Sequence, residues 1–245
     1  MNEEPQSVPL SPPEKYPFWT YRDVLVLGSL AVPLLAISIG LVGGVTWAVG
    51  WKPAAKAAPL LISQFIFYSL WLAFLYAWFK VRYGRPFWRS LAWAAPQHGL
   101  FGSFVWGIFT AVFVITFGAL LGPPQTEMPL VDLLRDRSSL IWMGVFAITL
   151  GPLWEELAFR GFLLPLLMRS LRAIPGILLT AMIFAGMHGP EYAWSWKHLV
   201  LVSAAGVAFG WMRYRSGSTA MATVMHSGYN LVFFLGMVWQ KFPQK

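Results

Sequence analysis

From residue 24 to residue 49 the chain carries no charged side chain, and about 20 consecutive apolar residues are enough to cross the hydrocarbon core of a bilayer as a helix. In that medium every backbone N–H and C=O must find its partner internally, which restricts a spanning chain to helices or a closed barrel. Apolar stretches of helical length recur at 60–78, 100–121, 140–171, 174–188, 197–211 and 219–239. They predict an all-α, polytopic transmembrane helical bundle of about seven to eight spans, the eighth arising if the long fourth segment breaks in two. Composition agrees. The chain is 57% hydrophobic and 11% charged, against about 25% charged in soluble domains. The formal charge of +8 lies in short clusters between apolar runs rather than on one patch, so it reads as a topology signal and not as a nucleic-acid surface. With no cysteine, disulfides, thiolate nucleophiles and Cys-ligated zinc are excluded.

Residues 1–20 hold five prolines, three Glu and one Lys. They read as a flexible Pro-rich tail rather than a signal peptide, meeting the bilayer at the interfacial cluster Tyr16, Phe18, Trp19 and Tyr21. Residues 21–138 then form three N-terminal transmembrane helices and an interfacial segment at 127–137, a short amphipathic helix or a plain loop. Residues 139–240 form the helical core that holds the site. The densest basic loop, Lys80, Arg82, Arg85 and Arg89, is expected in the cytoplasm. Seven crossings then put the N-terminus inside, with ten Lys and Arg inside, seven outside and Arg160 within the membrane. The segment 140–171 would be roughly 48 Å long if straight and must tilt, kink or protrude. Gly151-Pro152 and Pro165 are the places for a kink.

Inside the apolar runs few side chains can do chemistry: Glu155, Glu156, Arg160, His188, His226 and Asn230. An ionisable group at bilayer depth costs roughly 3 kcal/mol on insertion scales and therefore marks a site facing protein or a cavity. Glu156 and Arg160 are four apart and share a helix face, where they can pair, whereas Glu155 points about 100° away. His226 and Asn230 also share a face. A shielded carboxylate beside an imidazole can activate water, and a second His with an Asn can donate to a developing oxyanion. Glu155, His188 and His226 could instead hold a zinc ion, although the local His-Glu-x-x-His signature is absent. Structural alternatives are a buried ion pair for Glu156 and Arg160, and helix-packing hydrogen bonds for the histidines and Asn230. A proton or ion relay of Glu155, Glu156, His188 and His226 would make the chain a transporter, but the paired broken helices and repeats of that class are not seen. His98 and His198 are expected in a loop and at the interface, outside the site.

Glu155-Glu156-x-x-x-Arg160, Phe184-x-x-x-His188 and His226-x-x-x-Asn230, in that order, resemble the CPBP family of intramembrane proteases, which includes the CAAX-prenyl endopeptidases and bacteriocin-processing and immunity proteins. The resemblance covers about residues 139–240. It implies an endopeptidase cutting within or beside the membrane, with Glu155 and His188 activating water, His226 and Asn230 stabilising the oxyanion, and Glu156 and Arg160 completing the site. It implies membrane lipid and a protein or peptide substrate, lipidated or not, as partners, with no nucleic acid and no required cofactor, zinc being the alternative. The expected location is a bacterial or archaeal plasma membrane. A non-catalytic scaffold or immunity protein of the same fold is the remaining alternative.

Overall fold

A computed structural model describes residues 16–94, 99–122 and 129–241. The tail at 1–15, His98 and the first part of the interfacial segment lie outside the described residues. Among those described the architecture is all helical, with no strand. In chain order the helices are α1 (Tyr21–Ala48), α2 (Ala58–Trp78, extended by a π-helical turn Phe79–Tyr83), α3 (Phe87–Ser90), α4 (Leu100–Leu121), α5 (Pro129–Leu133), α6 (Arg137–Ile148), α7 (Leu150–Glu156), a π-helical segment Leu157–Leu163, α8 (Leu164–Leu171), α9 (Ala173–Met187), α10 (Trp196–Ser216) and α11 (Thr219–Lys241).

Five helices are long and apolar enough to cross a membrane: Tyr21–Ala48, Ala58–Tyr83, Leu100–Leu121, Arg137–Leu171 and Thr219–Lys241. The chain is an integral, multi-pass membrane protein. The expected count of seven to eight is not reached on length and composition. Ala173–Met187 is apolar but has only 15 residues, about 22 Å of helix. Trp196–Ser216 is long enough, but it carries Lys197, His198, Arg213 and Arg215 and falls outside the five.

The long segment 137–171 breaks where its prolines require. Pro152 has no N–H to give Ile148, four residues back, and its ring crowds that carbonyl. Helix α6 ends at Ile148, Thr149 takes φ −114° and ψ −79°, and α7 starts afresh. Pro165 likewise cannot donate to Gly161, and the stretch just before it winds as a π-helix over Leu157–Leu163, a geometry often found at functional sites. Glu155 and Glu156 thus end one short helix, and Arg160 lies in the wide turn that follows.

Within the aromatic cluster at 16–21, Tyr16 and Tyr21 are exposed and Trp19 is not. Trp19 is fully buried; its indole N–H donates to the Phe162 carbonyl at 3.0 Å, and its ring stacks on Phe79 and Phe162. Arg169 donates to the Pro17 and Trp19 carbonyls, Arg213 to the Tyr16 hydroxyl, and that hydroxyl to the Ser90 carbonyl. An aromatic anchor expected to sit in headgroups instead packs the first helix pair against the segment that carries Arg160.

Candidate active site

Three separate parts of the chain meet around Glu155 and Glu156. Arg160 Nη1 lies 2.8 Å from Glu156 Oε1, and both side chains are completely buried. The other terminal nitrogen, Arg160 Nη2, donates to the Gly206 carbonyl at 2.9 Å, tying the π-turn to α10. The guanidinium also lies over the rings of Phe184 and Phe209, 4.6 and 5.4 Å from their centroids. A buried arginine held in this way neutralises one carboxylate of the pair. A Cβ at Gly206 would come 3.1 Å from Ala181 Cβ and 3.4 Å from Arg160 Nη2, so the absence of a side chain there is what brings the α10 backbone to the guanidinium.

His226 arrives from α11 and sits between the two acids. Its Nδ1 is 2.9 Å from Glu156 Oε1, and its Nε2 is 3.9 Å from Glu155 Oε2. The ring stacks on Phe209 at 4.4 Å and is only 4% exposed. Nδ1 faces a carboxylate oxygen and therefore carries the proton in the neutral ring, which leaves the Nε2 lone pair turned toward Glu155. Among the described residues Glu156 Oε2 has no hydrogen-bond partner. Glu155 is the more open acid, its side chain 18% exposed.

His188 caps the C-terminal end of α9. Its Nδ1 is 2.8 Å from the Phe184 carbonyl, which fixes the proton on Nδ1 and frees Nε2 as an acceptor. Phe184 joins the two imidazoles, its ring 4.6 Å from His188 and 5.9 Å from His226. Asn230 lies one turn beyond His226, and its amide donates to the Ala147 carbonyl at 2.6 Å, at the end of α6. One of its two N–H groups is therefore committed and the other is not. His198 stacks on Tyr192 at 4.9 Å.

Three contributors were not anticipated. Tyr68 on α2 donates to Glu155 Oε1 at 3.4 Å, and Gln64, one turn earlier, donates to the Tyr68 hydroxyl at 3.0 Å. A Gln and a Tyr four apart in an otherwise apolar run were a readable signal. The third is Glu191, on the exposed turn after His188. Desolvation against the bundle pushes its carboxyl up, His188 draws it down, and the Glu155 charge adds to the rise.

No group of three or more His, Asp or Glu with the arrangement to hold a metal ion occurs among the described residues. Glu155, His188 and His226 are not gathered as such a group, and the Nδ1 bonds to Phe184 and Glu156 oxygens leave Nε2 of each imidazole open.

Residues 137–232 match the family described as type II CAAX prenyl endopeptidase, Rce1-like. This part of the chain is an Rce1-like domain. Membership implies a CAAX-type protease, and the domain contains every motif residue from Glu155 to Asn230. No curated protein and no solved structure matches the chain. Tyr68 and Gln64 lie outside the Rce1-like domain, on a helix that packs against it.

Proposed function

We propose that the chain is an intramembrane endopeptidase that hydrolyses a peptide bond by a water activated at Glu155. The carrying observation is the inequality of the two acids. Glu156 Oε1 is shared by Arg160 and His226 Nδ1, whereas Glu155 meets only a phenol hydroxyl at 3.4 Å and an imidazole nitrogen at 3.9 Å. One carboxylate is structural and the other is available to take a proton.

In the reaction Glu155 removes a proton from water, and His188 Nε2, freed by the bond from Nδ1 to Phe184, accepts the second water hydrogen and orients it. The hydroxide attacks the peptide carbonyl carbon and the electron pair moves to its oxygen. The proton passes from Glu155 to His226 Nε2, which then donates to the oxyanion together with the uncommitted Asn230 N–H. Collapse of the tetrahedral intermediate breaks the C–N bond, and His226 returns its proton to the leaving amine. Glu156 holds the His226 ring in register throughout, as the third member of a nucleophile-and-base arrangement does.

We place seven crossings in this reading, with the N-terminus in the cytoplasm. Support comes from the contacts of the basic clusters. Arg85, Arg169 and Arg213 all reach the segment 16–19, so these loops and the N-terminal segment share one end of the bundle. Lys241 reaches Leu134, and Ser139 accepts from the Ala57 backbone, at the other end. Helices α9 and α10 must then run between the ends despite their length and composition, α9 as a short span inside the protein. The substrate is a protein or peptide entering from the lipid side, with a lipidated C-terminus the class the family name suggests.

The test is cleavage of a fluorogenic peptide library, with and without an isoprenylated cysteine, by the full-length protein in detergent micelles. Cleavage lost in Glu155→Gln with unchanged expression and melting supports the assignment. Cleavage retained in that variant overturns it.

A further inference from the structure

Among the described residues, the Glu155 carboxylate is approached from outside the Rce1-like domain by one polar group, the Tyr68 hydroxyl. Its ring stacks on Trp154 at 5.7 Å and 27° and on Phe146 at 6.2 Å and 15°, both residues of the domain, so the phenol is held at a fixed angle to α7. Gln64 Nε2 donates into the phenol oxygen. The hydroxyl proton is thereby directed away from Gln64 and toward Glu155 Oε1, giving a chain Gln64 to Tyr68 to Glu155 in which each hydrogen has one acceptor. We infer that Tyr68 is a positioning residue for the catalytic acid: its hydroxyl, 3.4 Å from Glu155 Oε1, orients the carboxylate so that Oε2 is turned to His226. This rests on the protease reading of Glu155.

The other charged or titratable groups facing Glu155 are His226 from α11, Glu191 and Tyr192 from the turn after α9, and Glu156 and Arg160 on its own segment. Arg160 is already engaged by Glu156. Tyr68 is a neutral donor, and a hydrogen bond given to a carboxylate favours its charged form.

Tyr68→Phe keeps the stacked ring and deletes the donor. The acid limb of the kcat/KM pH profile on the fluorogenic peptides should move up by about 1 pH unit. Activity would be reduced roughly tenfold on the acid side and recovered on the alkaline plateau. Gln64→Leu, which leaves the phenol in place but undirected, should move it in the same sense and less. A packing defect would lower the rate equally at all pH values, so an unmoved limb overturns the inference while leaving the protease reading intact. Loss of wild-type cleavage would instead sink that reading. Infrared difference titration of the full chain, with the Glu155 band identified by its absence in Glu155→Gln, reads the same shift without turnover. A Glu155 titration identical in wild type and Tyr68→Phe overturns the inference on its own.

Discussion

His226 Nδ1 and Arg160 Nη1 converge on the same oxygen, Glu156 Oε1, at 2.9 and 2.8 Å. One buried carboxylate oxygen thus serves two elements, α11 and the π-turn, and fixes the imidazole relative to Glu155. Breaking a buried pair by removing one partner leaves an uncompensated charge and typically costs about 3–5 kcal/mol, whereas replacing both partners by apolar groups is often neutral. Arg160→Met should therefore lower the melting temperature sharply. The double variant Arg160→Met with Glu156→Leu should recover most of the stability and little of the activity, because His226 has lost the acceptor that sets its ring. Unfolding in detergent and peptide cleavage, measured on the same samples, check both halves.

Helix α11 carries His226 and Asn230, and its position depends on two glycines that let it touch α4. A Cβ on Gly107 would fall 2.0 Å from the Met225 carbonyl oxygen, and one on Gly228 would fall 2.5 Å from the Phe104 carbonyl oxygen. Both obstacles are backbone and cannot rotate away. Small residues at helix contacts in membranes allow this approach, and overpacking typically costs about 1–3 kcal/mol. Gly107→Ala and Gly228→Ala should each destabilise by that order and reduce cleavage further than the stability loss alone explains. The kcat of the surviving folded fraction, normalised by active-site titration, is the measurement.

The helices were largely legible in the sequence because lipid imposes one unmistakable pattern. The third apolar stretch, 100–121, coincides with Leu100–Leu121, and the others agree within a few residues except at the end of α10. The pairing of Glu156 with Arg160 followed from spacing, and the break near Gly151-Pro152 from the proline. How the helices turn toward one another was not legible. Helices that are apolar nearly all round show little face to read, so nothing marked Trp19 as buried, and Gln64 with Tyr68 marked a polar face without showing that it meets Glu155. Periodicity placed His226 and Asn230 on one face but could not show that Nδ1 of His226 would take Glu156 while Asn230 reached back to Ala147.

Trp19 offers a test of how far the first helices support the site. The indole fills a fully buried position and donates to the Phe162 carbonyl, within the π-segment that holds Arg160. Trp19→Phe retains an aromatic ring and loses one hydrogen bond, an expected cost of about 1 kcal/mol. Trp19→Ala opens a cavity and should cost about 3–5 kcal/mol. Chemical denaturation in micelles distinguishes the two. Near-equal losses would mean that the ring contributes little and that the hydrogen bond dominates.

Glu191 gives a pH dependence whose sign is fixed by the direction of its shift. Its carboxyl is raised above the ordinary value of 4.5 by desolvation, with His188 opposing and Glu155 adding. A carboxyl raised on folding binds its proton more tightly in the folded state. Its stabilising contribution is therefore present in full below about pH 4.5 and is lost as the pH rises from there through the folded value. Above that value the wild type keeps an unfavourable charge on the turn. Glu191→Gln removes that titration, so it should melt higher than wild type at neutral pH, with the gap closing as the pH falls toward 4.5. Melting curves of both proteins in the same detergent across that range decide it. A gap that is constant with pH would mean that the substitution acts through contacts rather than charge.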